Sequence, residues 1–179
     1  MKNNRKLVLY IATSLDGYIA QPNDDLSFLN RVQKEDEDYG YHDFLATVDT
    51  VILGRRTYDW VMKQVPEFPH SDKKTYVITR TERAQQGKTV FYTGNLKKLV
   101  LELKQRSGKN IFCDGGAEIV NELLRENLID ELIISVIPVL VGDGIRLFQN
   151  GRPEKDLQLV STKKFDTGLV QLHYTITSA

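Results

Sequence analysis

Lys6 to Thr13 (KLVLYIAT) is a short, nearly unbroken apolar run, which predicts a strand buried on both faces. Asp49 to Leu53 repeats the pattern and stops at Gly54, and Thr75 to Thr79 repeats it and stops at Arg80. Thr89 to Tyr92 and Asn110 to Cys113 predict two further strands. Between these runs the apolar period changes. Leu96, Leu99, Val100 and Leu103 recur at helical spacing, so Asn95 to Arg106 predicts an amphipathic helix with Asn95 as its N-cap. Ile119, Val120, Leu123 and Leu124 mark one face of a second helix, and Thr57 to Lys63 predicts a third behind Gly54. Leu26 to Val32 and Tyr41 to Thr47 read as short helices on either side of the acidic run Glu35 to Asp38, which is expected to be a solvated loop. Residues 65–73 carry Pro66 and Pro69 and predict a loop. Leu132 to Leu140 is a long apolar strand interrupted late by Pro138. Leu157 to Phe165 and Leu169 to Thr177 alternate in part around Asp166-Thr167-Gly168, the pattern of an antiparallel hairpin.

Strands alternating with helices predict an α/β fold, a largely parallel sheet covered on both faces, here with an antiparallel edge. Neither repeats nor linkers interrupt the 179 residues, so a single domain over 1–179 is expected. Composition narrows the function. Lys plus Arg and Asp plus Glu both total 24, and zero net charge argues against nucleic acid as a partner. Any bound anion must be held by a few local cations and backbone amides. With one cysteine, Cys113 in an apolar stretch, no internal disulfide is possible and a buried, inert thiol is expected. His42, His70 and His173 lie far apart and show no metal-ligand spacing. No stretch reaches the roughly 18 apolar residues of a membrane span, and the start lacks the apolar run of a signal peptide, so a cytoplasmic protein without membrane contact is expected.

In open α/β sheets ligands bind beyond the carboxyl ends of the strands. Three such ends carry suitable chemistry. Gly54-Arg55-Arg56-Thr57 combines a glycine, which lets backbone approach a ligand, with the free amides of a helix start, two guanidinium groups and a hydroxyl. A plain helix cap with solvated arginines is the alternative. Thr79-Arg80 offers a hydroxyl and a planar fork suited to a phosphate monoester, with a solvated loop as the alternative. Asp114-Gly115-Gly116 lies between strand and helix, so the amides that follow are placed for a second phosphate, unless this is an ordinary glycine turn. No Gly-x-Gly-x-x-Gly follows the first strand, so the common dinucleotide-binding fingerprint is not met.

Val51-Ile52-Leu53-Gly54-Arg55-Arg56-Thr57-Tyr58 resembles the cofactor motif of dihydrofolate reductases, and Asp114-Gly115-Gly116-Ala117-Glu118-Ile119 resembles their second glycine motif. Ser14 to Ala20 (SLDGYIA) and Pro138 to Phe148 (PVLVGDGIRLF) are more similar to the reductase domain of riboflavin biosynthesis, the RibD C-terminal type. The four motifs stand in register over essentially the whole chain. This resemblance implies a dihydrofolate-reductase-like sheet of about eight strands and NADPH as hydride donor. It implies that Gly54, Arg55, Arg56 and Thr57 meet the cofactor phosphates. It further implies that Thr79 and Arg80 take the adenosine 2′-phosphate, and that Asp114, Gly115, Gly116, Ala117, Glu118 and Ile119 surround the pyrophosphate, with a cis peptide between the two glycines. Ala12, Thr13, Ile19 and Ala20 are implied to border the nicotinamide.

On the substrate side the resemblance makes Asp25 the candidate acid, Ser135 the hydroxyl that supports it, and Asp16 a second carboxylate for substrate binding or proton delivery. The alternative is that Asp24 and Asp25 cap the helix that follows. Lys73 stands where dihydrofolate reductases carry an arginine for the folate tail, and Val120 where they often carry an aromatic, which weakens folate as the substrate. The expected function is hydride transfer from NADPH to a small heterocycle, a ribosylamino-pyrimidine before a pterin. A non-catalytic NADPH-binding module is the remaining alternative, and a homodimer is expected because relatives of this type commonly pair.

Overall fold

The computed structural model describes residues 5–177. In chain order the strands are Leu7–Ser14 (β1), Tyr18–Ala20 (β2), Val48–Gly54 (β3), Lys74–Ile78 (β4), Thr89–Tyr92 (β5), Asn110–Gly115 (β6), Glu131–Ile137 (β7), Ile145–Arg146 (β8), Leu157–Lys164 (β9) and Val170–Ile176 (β10). The α-helices are Tyr41–Ala46 (α1), Arg55–Gln64 (α2), Leu96–Gln105 (α3) and Ala117–Arg125 (α4). Eight strands form one sheet in the order β5-β4-β3-β6-β1-β7-β10-β9, and β2 pairs with β8 as a separate ribbon. The six strands from β5 to β7 run parallel, while β10 is antiparallel to both β7 and β9.

Alternation along each buried strand divides the core between the two faces. Val51, Leu53 and Phe112 pack with Phe44 of α1 and Tyr58 of α2. Ile52, Ile111 and Cys113 point the other way, onto Leu99 and Leu103 of α3 and Val120 and Leu123 of α4. Burial pushes the Cys113 thiol up to about 12, so it is the inert core residue expected. Asn95 caps α3 as predicted, its Oδ1 accepting the Lys98 N–H at 2.8 Å.

The structure departs from the apolar pattern at several points. β7 ends at Ile137 rather than Leu140, because Pro138 has no N–H to continue the ladder and Val139 turns back to the Ile137 carbonyl at 2.8 Å. α2 begins at Arg55, two residues before the predicted Thr57, which puts both arginines in its first turn. Thr79 falls just beyond β4, and the helix expected from Leu26 is a 3₁₀ segment, Ser27–Val32. β2 and β8 were not predicted, since three and two residues are too few to show a period. Among the described residues no helix is long and apolar enough to cross a membrane.

The connections reverse direction between β3 and β6. From β3 the chain passes through α2 to β4 on one side, whereas from β6 it passes through α4 to β7 in the opposite direction. β3 and β6 are neighbours, with Leu53 opposite Gly115. Their carboxyl ends therefore flank a topological switch point, the place where such sheets leave room for a ligand.

Candidate active site

α2 and α4 start side by side at this switch point. Their N-caps are Gly54 and Gly116, and neither helix has a side-chain cap. The first-turn amides of Arg55, Arg56 and Thr57, and of Ala117, Glu118 and Ile119, consequently lack intrahelical partners. Both caps are closely packed. A Cβ on Gly54 would lie 3.2 Å from Ile119 Cγ1 and 3.9 Å from the Gly116 nitrogen, and one on Gly116 would lie 3.2 Å from Thr57 Oγ1. The peptide bond between Gly115 and Gly116 is cis, as the resemblance implied. Two uncapped helix starts, each with a partial positive charge, converge on one seam and suit a diphosphate.

Cations surround this seam. Arg80, just past β4, is exposed and forms no ion pair among the described residues. Thr79 is buried, and its hydroxyl is spent within the turn, donating to the Thr81 carbonyl at 3.2 Å and accepting the Thr81 N–H at 3.1 Å. Arg55 lies 3.6 Å from Asp59, which also receives a forked pair from Arg83 at 2.7 and 3.0 Å. The Arg83 hydrogen bonds hold the Asp59 carboxyl below its ordinary range. Arg56 is held by a residue that the sequence reading left as a helix cap. Its guanidinium forks onto Asp24, the last residue of the 3₁₀ turn Pro22–Asp24, at 2.6 and 3.2 Å. No spacing in the chain reveals this pair, because 32 residues separate its members. Glu118 is exposed in the first turn of α4, so only its backbone is suited to an anion.

The residues expected beside the nicotinamide, Ala12 and Thr13 on β1 and Ile19 and Ala20 on β2, lie near the carboxyl end of β1 and in the ribbon that follows it. Two substrate-side expectations, those for Asp16 and Ser135, need correction. Asp16 accepts the Ser14 hydroxyl at 2.6 Å, the Val141 N–H at 3.1 Å and the Gly142 N–H at 2.8 Å. These bonds, the Ser14 bond first, hold its carboxyl at about 2, so at neutral pH Asp16 anchors a loop and has no proton to deliver. Ser135 does not support Asp25. It is buried on β7, where its hydroxyl accepts from Gln171 Nε2 at 3.2 Å, beside Tyr10 and Tyr39. Asp25 is exposed and accepts the Ser27 N–H at 2.8 Å and the Ser27 hydroxyl at 2.9 Å, a local turn one residue before Leu26, the N-cap of the 3₁₀ segment. Lys73 is paired with Asp72 at 2.8 Å, and Val120 is wholly buried on the core-facing side of α4.

A cluster that the sequence reading did not assemble lies immediately before the glycines. Asp114 Oδ2 is 3.8 Å from Nε2 of His70, and the same nitrogen is 3.3 Å from the Tyr41 hydroxyl. His70 is buried with its Nδ1 unpartnered among the described residues. Burial lowers the His70 imidazole, raises the Tyr41 hydroxyl, and pushes the Asp114 carboxyl up to about 7. The group able to carry a proton near neutrality is thus Asp114. A carboxyl whose folded value exceeds its unfolded value binds its proton more tightly in the folded state. Stability contributed by that proton is complete below about pH 4 and is lost as pH rises towards about 7. Asp114→Asn is accordingly expected to raise stability at pH 8 by about 1–2 kcal/mol and to flatten the fall between pH 4 and 7, read by urea denaturation. The 26% exposed rim of the side chain keeps the gain below that of a fully enclosed carboxyl. A variant with the wild-type pH profile would contradict the raised value.

Relatives place this geometry in context. The uncharacterized protein YwjB of Bacillus subtilis is 47% identical over 171 residues, which is 95% of this chain and 97% of the relative. A protein of Shewanella sp. PV-4, assigned by its name to riboflavin biosynthesis, superposes with a TM-score of 0.88 at 28% identity, covering 97% of this chain and 99% of that one. A dihydrofolate reductase from Enterococcus faecalis complexed with NADP(H) superposes with a TM-score of 0.66 at 17% identity, covering 99% of this chain and 100% of that one. The likeness to the dihydrofolate reductase shows a shared fold and nothing finer. The RibD C-terminal domain profile matches residues 5–171, and with the eight-stranded sheet and the four motifs in register the chain belongs to that family.

Proposed function

We propose that the chain is an NADPH-dependent reductase that delivers hydride to a ribosylamino-pyrimidine or a related heterocycle. The observation that carries this reading is the pair of uncapped helix starts at Gly54 and Gly116, closely packed against each other and suited to a diphosphate. The family adds weight to it, and a Thermotoga maritima relative (TM-score 0.70, 15% identity, 98% of this chain on 58% of that one) is named as a deaminase and 5-amino-6-(5-phosphoribosylamino)uracil reductase.

In this reading Gly54 to Thr57 and Asp114 to Ile119 bind the pyrophosphate through backbone amides, and Thr79 and Arg80 flank the 2′-phosphate. The Thr79 hydroxyl already serves Thr81, so most of that recognition falls to Arg80. Arg56 leaves Asp24 for a phosphate oxygen, exchanging one charged partner for another. Ala12, Thr13, Ile19 and Ala20 exclude water beside the nicotinamide, and the bound cofactor supplies the hydride. The proton that must accompany it is available on Asp114, while Asp25, bonded only to Ser27, is free to turn towards a substrate.

The test is titration with NADPH and NADH by calorimetry, followed by loss of reduced-nicotinamide absorbance with a panel of ribosylamino-pyrimidines and pterins. Saturable binding and oxidation with a pyrimidine are expected. Failure to bind either dinucleotide would sink the reading. Tight binding with no turnover across the panel would leave a nucleotide-binding module in place of a reductase, and turnover of pterins alone would move the substrate class.

A further inference from the structure

Among the described residues, His70 Nδ1 is the buried side-chain polar atom left without a partner. The ring is wedged among three others, with the centroids of Tyr41, Phe68 and Phe112 at 6.5, 5.4 and 5.7 Å. The loop that carries it is pinned in turn, the Lys73 N–H donating to the His70 carbonyl at 2.9 Å and the Ser71 N–H to that of Phe68 at 3.0 Å. A phenyl ring would satisfy this aromatic packing without burying an unpaired nitrogen. The imidazole is therefore explained by its other nitrogen.

Orphaned buried N–H groups are rarer than orphaned acceptors, so the proton of the neutral ring belongs on Nε2. From there it is donated to the Tyr41 hydroxyl oxygen at 3.3 Å. Asp114 lies on the same side, its Oδ2 3.8 Å from Nε2, and among the described residues it has no other ion-pair neighbour. A carboxylate is a stronger acceptor than a phenol, and a charge-assisted bond needs the gap to close by only about 1 Å.

Resting on the reductase reading, we propose that His70 is a positioning residue for proton delivery: its Nε2–H leaves the Tyr41 hydroxyl for Asp114 Oδ2 as that carboxyl gives its proton to the substrate. In this step the carbon of a substrate C=N bond accepts hydride from the reduced nicotinamide, which is oxidised, and the nitrogen accepts the Asp114 proton. The carboxyl O–H bond breaks, and the charge left on Asp114 is met by the imidazole N–H. Solvent returns the proton through the 26% exposed rim of Asp114. Facing His70 are Lys73 and Asp72 of its own loop, Tyr41 of α1 and Asp114 of β6, while Tyr10 of β1 faces Tyr41. Lys73 and Asp72 pair with each other at 2.8 Å, which leaves Asp114 as the group whose charge changes beside the ring near neutrality.

Carboxyl-carbon NMR of the chain alone follows the Asp114 titration, and kcat with NADPH and a ribosylamino-pyrimidine follows delivery. His70→Phe keeps the packing and removes the donor. It is expected to raise the Asp114 midpoint by about one pH unit, because the carboxylate loses its hydrogen bond, and to lower kcat about 10-fold or more with KM for NADPH unchanged. His70→Gln, whose amide nitrogen reaches the place of Nε2, is expected to restore the midpoint and most of kcat. Tyr41→Phe removes the competing acceptor and is expected to lower the midpoint. A purely structural histidine would change stability without moving the midpoint in opposite directions. Midpoints unmoved in all the variants would overturn the inference whatever the turnover. So would a His70→Phe chain that reduces the pyrimidine at the wild-type kcat. Midpoints that move as expected in a chain that binds neither dinucleotide would overturn the reductase reading alone, and the coupling of His70 to Asp114 would stand.

Discussion

Replacing Gly144 by alanine is expected to cost about 3 kcal/mol or more of folding stability. Gly144 has φ +137°, a backbone conformation that side chains disfavour, and a Cβ there would lie 2.0 Å from the Ala20 carbonyl oxygen and 2.9 Å from Gln21 Cα. The obstructing atoms are backbone, so no rotamer change relieves the clash. The loop cannot retreat freely either. Val141 and Gly142 are bonded to the Asp16 carboxylate, and the Leu147 N–H donates to the Gly17 carbonyl at 3.0 Å. The displacement therefore reaches β2 and Ala20, one of the residues expected beside the nicotinamide, and NADPH affinity should fall with stability. Urea denaturation checks the first effect as a lower midpoint at constant slope, and calorimetry checks the second. A variant within about 0.5 kcal/mol of wild type would show that the loop has room not evident in its packing.

Removing the guanidinium of Arg80 should separate the two nicotinamide cofactors. Arg80→Ala is expected to weaken NADPH by 10–100-fold, about 1.5–3 kcal/mol, the usual loss for hydrogen bonds to a charged group. NADH lacks the 2′-phosphate and should bind the variant as it binds the wild type. Stability should stay within about 0.5 kcal/mol, because the side chain is exposed and holds no ion pair among the described residues. Parallel calorimetric titrations with both dinucleotides measure the ratio. Equal losses for the two cofactors, or none for either, would remove Arg80 from the 2′-phosphate site. The prediction is sharper because Thr79 is already bonded to Thr81 and cannot readily compensate.

Local chemistry made much of the fold legible in the chain. Continuous apolar runs marked β1, β3, β4, β5 and β6, since a strand buried on both faces needs apolar residues throughout. The helical period marked α3 and α4, and Asn95 announced the start of α3. The same reading found the glycines of the switch point, because a strand followed by glycine and a helix is itself a local pattern. It missed β2 and β8, and it overextended β7 past Pro138, where apolar residues continue but the ladder has lost its donor.

The substrate side was less legible, and for one reason. A side chain's role there depends on which partner it meets across the fold. Asp16 looks like a free carboxylate until the Ser14 hydroxyl turns onto it and residues 141 and 142, arriving from a distant loop, help to hold it ionised. Ser135 looks like a helper for Asp25 until Gln171 comes to it from β10. Asp114 appears as part of a glycine turn, whereas its burial makes it the group that titrates near neutrality.

By itself, then, the order of residues determined the sheet, the helices and the two glycine turns, since hydrophobic burial and backbone geometry act along short stretches of chain. Only the tertiary structure decided which arginine is already paired and which carboxyl keeps its proton. Those outcomes depend on electrostatics and solvent exclusion between residues far apart in the chain, such as Asp24 and Arg56 or His70 and Asp114.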